Sequence, residues 1–289
     1  MTCLPAIPLG AQQRDGLPTE PATGGAWRPR VLADGQPDIQ GRWRAEEGGT
    51  YDTTAVESGG GIFQRLVDTA AGRPVAPRPS RVIDPADGQI PYLPWARAHQ
   101  QEIQRNADNP RKREHIDPRA RCLPGGVPRE AFPTGFRFLQ VPGAVVFLGN
   151  QKSVSRIIPL DDRPFLDDRI KLWMGDSRGH WEGNSLVVEV RNQNGKGRFD
   201  MVGNFASDAV RVFERWTVVS ERVIEYRATI EDPDVYTRPW TLFSRILKVA
   251  PSHEPYGDEL WEDACHEGER SAEHMILSSD AAAAGPKPR

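Results

Sequence analysis

The chain has 289 residues and a formal net charge of −3 at neutral pH, with 37 Lys and Arg interspersed among 40 Asp and Glu. No basic face is offered to a phosphate backbone, which argues against a nucleic-acid partner. With a mean hydropathy of −0.57, no window reaches the roughly 18 consecutive apolar residues that a membrane-spanning helix requires.

The N-terminal Cys3–Gln13 stretch is apolar and rich in small residues. It resembles the tail of a secretory signal that lacks its basic start and full apolar core. Residues 1–26 are therefore expected to be a leader remnant or disordered. Residues 1–100 carry 12 Pro and 13 Gly, close to the composition at which segments stop forming a packed core. Residues 27–135 are accordingly predicted to be an irregular wrapping arm with short helices. Ile62, Phe63, Leu66, Val67 and Ala70 have helical spacing and stop at Gly72. A second helix is predicted from Pro94, with Trp95, Ala98 and Ile103 inward, ending before Asn109-Pro110. Between them Ala76-Pro77-Arg78-Pro79 reads as a stiff linker.

From Phe136 the pattern changes to short β-rich runs bounded by turn residues. Strands are predicted at Phe136–Val141, Ala144–Leu148, Ser153–Leu160, Leu172–Trp181, Ser185–Asn192, Val210–Val219, Arg222–Ile230, Trp240–Val249 and Glu259–Cys265. Pro142-Gly143, Glu182-Gly183-Asn184 and Ser220-Glu221 are short enough for antiparallel hairpins. Sequential hairpins with almost no intervening helix point to an antiparallel up-and-down barrel over residues 136–277, resembling lipocalins, with a two-sheet sandwich as the alternative. A short helix is expected from Ser271, with a disordered tail over residues 278–289.

Three groups of residues have the chemistry of a site. On Val210–Val219, alternation places Val210, Val212, Glu214, Trp216 and Val218 on one face. A carboxylate facing inward there needs an arginine partner, or carries a raised pKa suited to proton transfer. On the strand before the Glu182-Gly183-Asn184 turn, Asp176, Arg178 and His180 share the face opposite Ser177 and Gly179. Such a row is either a solvated edge or the polar lining of a concave site, in which Asp176 could orient His180 as a general base. Arg238 beside Trp240 suits stacking on a flat ligand, and His266 follows Cys265 where the last predicted strand ends. Cys122 and Cys265 could bridge, closing a loop of about 140 residues worth about 4–5 kcal/mol on the chain-entropy account, or could stand as two buried thiols. No dinucleotide fingerprint, Walker sequence, Gly-x-Ser-x-Gly elbow or His-x-x-x-His spacing occurs, so neither an organic cofactor nor a metal is expected.

Four strings together carry a resemblance: Asp34-Gly35-Gln36-Pro37-Asp38-Ile39-Gln40-Gly41-Arg42-Trp43, Arg121-Cys122-Leu123-Pro124-Gly125-Gly126-Val127-Pro128-Arg129, Gly175-Asp176-Ser177-Arg178-Gly179-His180-Trp181-Glu182-Gly183 and Ala264-Cys265-His266-Glu267-Gly268. They resemble a large family of exported bacterial proteins of unassigned activity, frequent in Acidobacteria and Proteobacteria, over Trp27 to Leu277. The resemblance implies a signal peptide, a periplasmic or secreted setting and a Cys122–Cys265 disulfide. It implies no catalytic role. Relatives often carry histidine where this chain has Ala206, which puts a histidine-centred mechanism there in doubt.

Two functions are open on these residues. The first is an exported barrel enzyme acting on a small, mainly apolar or aromatic molecule by cofactor-independent acid/base catalysis, of the lyase, isomerase or hydrolase type. Asp176, His180 and Glu214 would move protons, and Arg178, Trp216, Arg238, Trp240 and His266 would hold substrate. The second is a non-catalytic barrel that binds a hydrophobic ligand in the same lumen.

Overall fold

The runs after Phe136 become strands because their branched and aromatic side chains pack on a pleated surface with one face in the core. A computed structural model describes residues 28–46, 51–55, 79–107, 109–133, 135–150, 154–249, 259–260, 270 and 272–276. The arm supplies β1 (Gly41–Ala45), β2 (Val82–Asp84) and the helix α1 (Pro94–Arg105). Then come β3 (Phe136–Val141), β4 (Ala144–Gly149), β5 (Ser155–Pro159), β6 (Asp176–Glu182), β7 (Ser185–Arg191), β8 (Arg211–Ser220), β9 (Val223–Glu231) and β10 (Trp240–Lys248).

The strands form one antiparallel sheet in the order β5-β4-β3-β1-β10-β9-β8-β7-β6, which curls until β5 and β6 lie beside each other. Read around the ring the order is sequential, so this is a nearly closed, lipocalin-like up-and-down barrel. Its opening has a simple cause. Eight antiparallel pairings separate β5 from β6 around the path, so the two strands run the same way and no hairpin can join them. The chain instead returns through the long Leu160–Gly175 connection. At the seam the strands still pack closely: a Cβ on Gly179 would lie 2.7 Å from Ile158 Cγ2 and 3.3 Å from Leu160 Cδ2.

Several expectations are corrected here. The barrel is not confined to residues 136–277, because β1 is a full stave between β3 and β10, and β2 pairs with the other half of β10. The expected Leu172 strand start moves to Asp176, because Gly175 turns the chain at φ +66, where any Cβ would sit 2.5 Å from the Arg191 carbonyl. Helix α1 forms as expected but buries Ala96, Gln100 and Ile103, leaving Trp95 exposed. The Gln100 amide donates to the Val202 carbonyl at 2.9 Å, which turns that face inward. The predicted helix at residues 62–70 and most of the strand expected at Glu259–Cys265 lie outside the described residues.

The interior is filled with rings. Phe136 stacks on Phe147 at 4.6 Å between centroids, Phe138 meets Trp216 edge-on at 5.3 Å, and Trp216 lies 4.0 Å from Tyr226. Over these sits the loop containing the 3-10 turns Pro118–Arg121 and Arg129–Ala131. It buries Val127, Ala131 and Phe132, with Phe132 against Tyr226 at 5.8 Å. If the seam is held by packing alone, Gly179→Ala lowers stability by about 1–3 kcal/mol through overpacking. In a double-mutant cycle with Ile158→Ala, measured by urea unfolding, much of that loss is recovered; strict additivity would count against it.

Candidate functional site

Strand β8 carries Glu214 inward, where its exposure is 2%. A carboxylate withdrawn from water this far requires a cation and further donors. Both are present. Arg156, inward on β5 and 6% exposed, donates from Nη2 to Glu214 Oε2 at 2.6 Å, and the Tyr226 hydroxyl on β9 donates to Oε1 at 2.8 Å. Burial first, and then the neighbouring Glu214 charge, push the Tyr226 hydroxyl well above its ordinary value, so it remains a proton donor. The Arg156 Nε is buried with no hydrogen-bond partner among the described residues. Beside this triad is a cavity of about 10 Å³ lined by Val127, Pro128, Phe147 and Met174 together with Arg156 and Glu214, room for about one water.

The other expected catalytic residues lie elsewhere. Asp176, Arg178 and His180 do share one face of β6, but it is the outer one. Ser177 and Gly179 take the inner face because Ile158 and Leu160 leave no room there for a larger side chain. Asp176 accepts from Arg178 Nη1 at 2.6 Å and from the Leu166 amide at 2.8 Å. Arg178 in turn donates to the carbonyls of Arg163 and Pro164 and lies 5.0 Å over the Phe165 ring. Asp176 and Arg178 are a bracket that fastens the connection to the barrel wall. His180 is exposed and meets Glu182 at 3.0 Å. Glu182 is held below the ordinary carboxylate range by Arg215 first and His180 second. The structure therefore does not bring Asp176 or His180 to Glu214.

Of the expected binding residues, Trp216 is a core ring against Tyr226 and Trp240 is buried against Tyr236 and Phe199. Neither is an open platform. Arg238 points outward to Asp84 at 2.9 Å. His266 and Cys265 lie outside the described residues, while Cys122 closes the Pro118–Arg121 turn in a left-handed conformation, φ 63. No cluster of His, Cys, Asp and Glu suited to a metal occurs among the described residues.

Two buried polar groups escaped the sequence analysis. In the covering loop Arg129 pairs with Asp117 and Arg119 with Glu130, each at 2.8 Å, and Glu130 also accepts from the Gly125 amide at 2.5 Å. Arg198 lies against this loop, its Nη2 donating to the Glu114 carbonyl. Burial, with Arg121 and Arg129 nearby, lowers its guanidinium to about 10. The second group is Asp200, 0% exposed. It accepts from the Thr53 amide at 2.8 Å and from the Asn204 amide and side chain at 3.0 and 2.6 Å. Asn204 also receives the Tyr92 hydroxyl at 3.1 Å. Charges mixed into a Gly- and Pro-rich loop look solvated in sequence, and nothing local marks either group. Comparison with protein-family models, with curated proteins and with solved structures returns no match.

Arg156→Met strands the Glu214 carboxylate on the Tyr226 hydroxyl alone and is expected to cost about 3–5 kcal/mol in urea unfolding. Adding Glu214→Gln restores a substantial part of this; a double variant no more stable than the single one would refute the account. Burial also raises the Asp200 carboxyl to about 6. Because this exceeds the unfolded value, the associated stability is full below about pH 4 and is lost as pH rises through 6. Acidification from pH 7 to 5 should add about 1 kcal/mol from this group, seen as an increment in the urea midpoint that Asp200→Asn lacks.

Proposed function

We propose that the protein binds a small, mainly apolar or aromatic molecule in the barrel interior, without transforming it. The Arg156–Glu214–Tyr226 triad fixes the ligand's polar end. The observation that carries this reading is the unpartnered, buried Arg156 Nε beside a cavity whose walls, apart from the Glu214 and Glu130 carboxylates, are the apolar Phe147, Met174, Val127, Pro128 and Ala131. A ligand with an apolar body and one hydrogen-bond acceptor fits that combination. Access requires the covering loop to shift, since the cavity as it stands holds about one water.

The acid/base reading is supported less well, because it needs Asp176, His180 and Glu214 around one substrate, and these side chains leave opposite faces of the barrel wall. An exported, oxidising setting with a Cys122–Cys265 bridge is part of the proposal. Cys122 does not stand as a free thiol, which supports it.

Titration with the neutral fluorescent probe 6-propionyl-2-(dimethylamino)naphthalene, whose ketone oxygen is a hydrogen-bond acceptor on an aromatic body, tests the site. Saturable one-to-one binding is expected, weakened at least about tenfold by Met174→Trp, which fills the cavity, and unaffected by Asp176→Asn. Equal binding by the Met174→Trp variant would dismiss the interior site. Turnover of a candidate substrate pool that falls in Asp176→Asn would restore the enzyme reading.

A further inference from the structure

Arg198 is 7% exposed, and among the described residues it pairs with no carboxylate. Its Nη2 is taken by the Glu114 carbonyl, whereas its Nη1 is buried without a partner. The acids around it are already engaged. Asp117 belongs to Arg129 and Glu130 to Arg119, and both Asp200 oxygens are held by Thr53 and Asn204. Arg121 adds a second cation whose Nε donates to the Ile116 carbonyl. Four arginines thus share this part of the fold with three acids, of which Asp117 and Glu130 are paired with Arg129 and Arg119 and Asp200 is held by amides. An uncompensated guanidinium in such a place is strongly unfavourable.

Next to Arg198 is a cavity of about 20 Å³ whose lining includes Gly125, Gly197, Asn194 and Ser207. Gly197 allows the two loops to close over it, since a Cβ there would lie 2.4 Å from the Gly125 carbonyl. The cavity has room for one or two water-sized groups. It is separate from the Arg156 cavity, the two sharing only Val127 in their linings.

We infer that this cavity is an anion site: a single small anionic group, either a free monovalent anion or the carboxylate of a larger ligand, completes the coordination of Arg198 Nη1. The inference does not depend on the Arg156 site, which is tested with a neutral probe.

Thermal unfolding of the full chain at fixed ionic strength provides the test. Chloride and formate, which fit the cavity, are compared with gluconate, which does not, and with benzoate, which joins a carboxylate to an apolar body. A Tm higher by about 2 °C or more in chloride and formate, abolished in Arg198→Gln, supports a free anion. A rise of that size confined to benzoate and abolished in the same variant supports a ligand carboxylate. Equal Tm in all four salts, or the same rise in Arg198→Gln, overturns the inference. Should that variant fail to fold, chlorine-35 line broadening by the wild-type protein that formate or benzoate reverses supports the site, and absence of competable broadening together with no benzoate-specific rise in Tm refutes it.

Discussion

The Glu214 carboxylate cannot occupy the barrel interior unless a cation and a hydroxyl meet it there, and much of the architecture follows from that requirement. Arg156 comes from β5 and Tyr226 from β9, so three strands distributed around the ring are tied to one point. A ring of aliphatic and aromatic side chains alone would pack with more freedom of register. Replacing a buried ion pair by apolar side chains of equal volume is often neutral or stabilising, so net stability does not account for this one. Its structural effect is to link β5, one lip of the seam, to the opposite wall.

That linkage matters because, among the described residues, no ladder joins β5 to β6 at the seam. Nine staves joined only by antiparallel pairings leave β5 and β6 running alike, so the connection between them must travel the length of the barrel. The Asp176, Arg178 and His180 face is consequently an outer surface to which this connection is fastened. Arg178 satisfies the Arg163 and Pro164 carbonyls, backbone groups that would otherwise need water or another strand. In a row that has the composition of a catalytic centre, Asp176 and Arg178 thereby act as a structural clasp, while His180 pairs with Glu182 at the surface.

Period-two alternation made the fold largely legible in the sequence. The hairpins of β3 with β4, β6 with β7 and β8 with β9 follow from turn residues between alternating runs, and the inward face of β8 follows from Val212, Trp216 and Val218. Glu214 among them reads as either paired with an arginine or raised in pKa, and the structure supplies the arginine, although nothing in the sequence names Arg156, which is distant in the chain. What alternation cannot give is which face of an isolated strand is inward when both carry small or polar residues. On β6 that choice is made by Ile158 and Leu160 pressing on Gly179, a contact between strands that are not hairpin partners. The stave β1 was hidden for another reason. Five residues in a Gly- and Pro-rich arm carry too little pattern, and only pairing with β3 and β10 makes them a strand.

The access that the proposed interior site requires depends on how the covering loop holds its buried charges. Its ion pairs, Arg129 with Asp117 and Arg119 with Glu130, lie within the loop itself and would travel with it. Its polar ties to the rest of the fold include the two-way amide pairing of Val127 with Gln193 and the Arg198 amide donating to the Gly125 carbonyl. Such neutral bonds are each worth about 0.5–1.5 kcal/mol, against about 3–5 kcal/mol for separating a buried charge pair. A displacement that keeps each acid with its arginine spares those pairs, and breaks the neutral ties together with the charge-assisted bonds that Arg198 Nη2 and Arg129 Nη1 make to the Glu114 and Arg198 carbonyls. This division of bonds is what a cover over an interior ligand site requires.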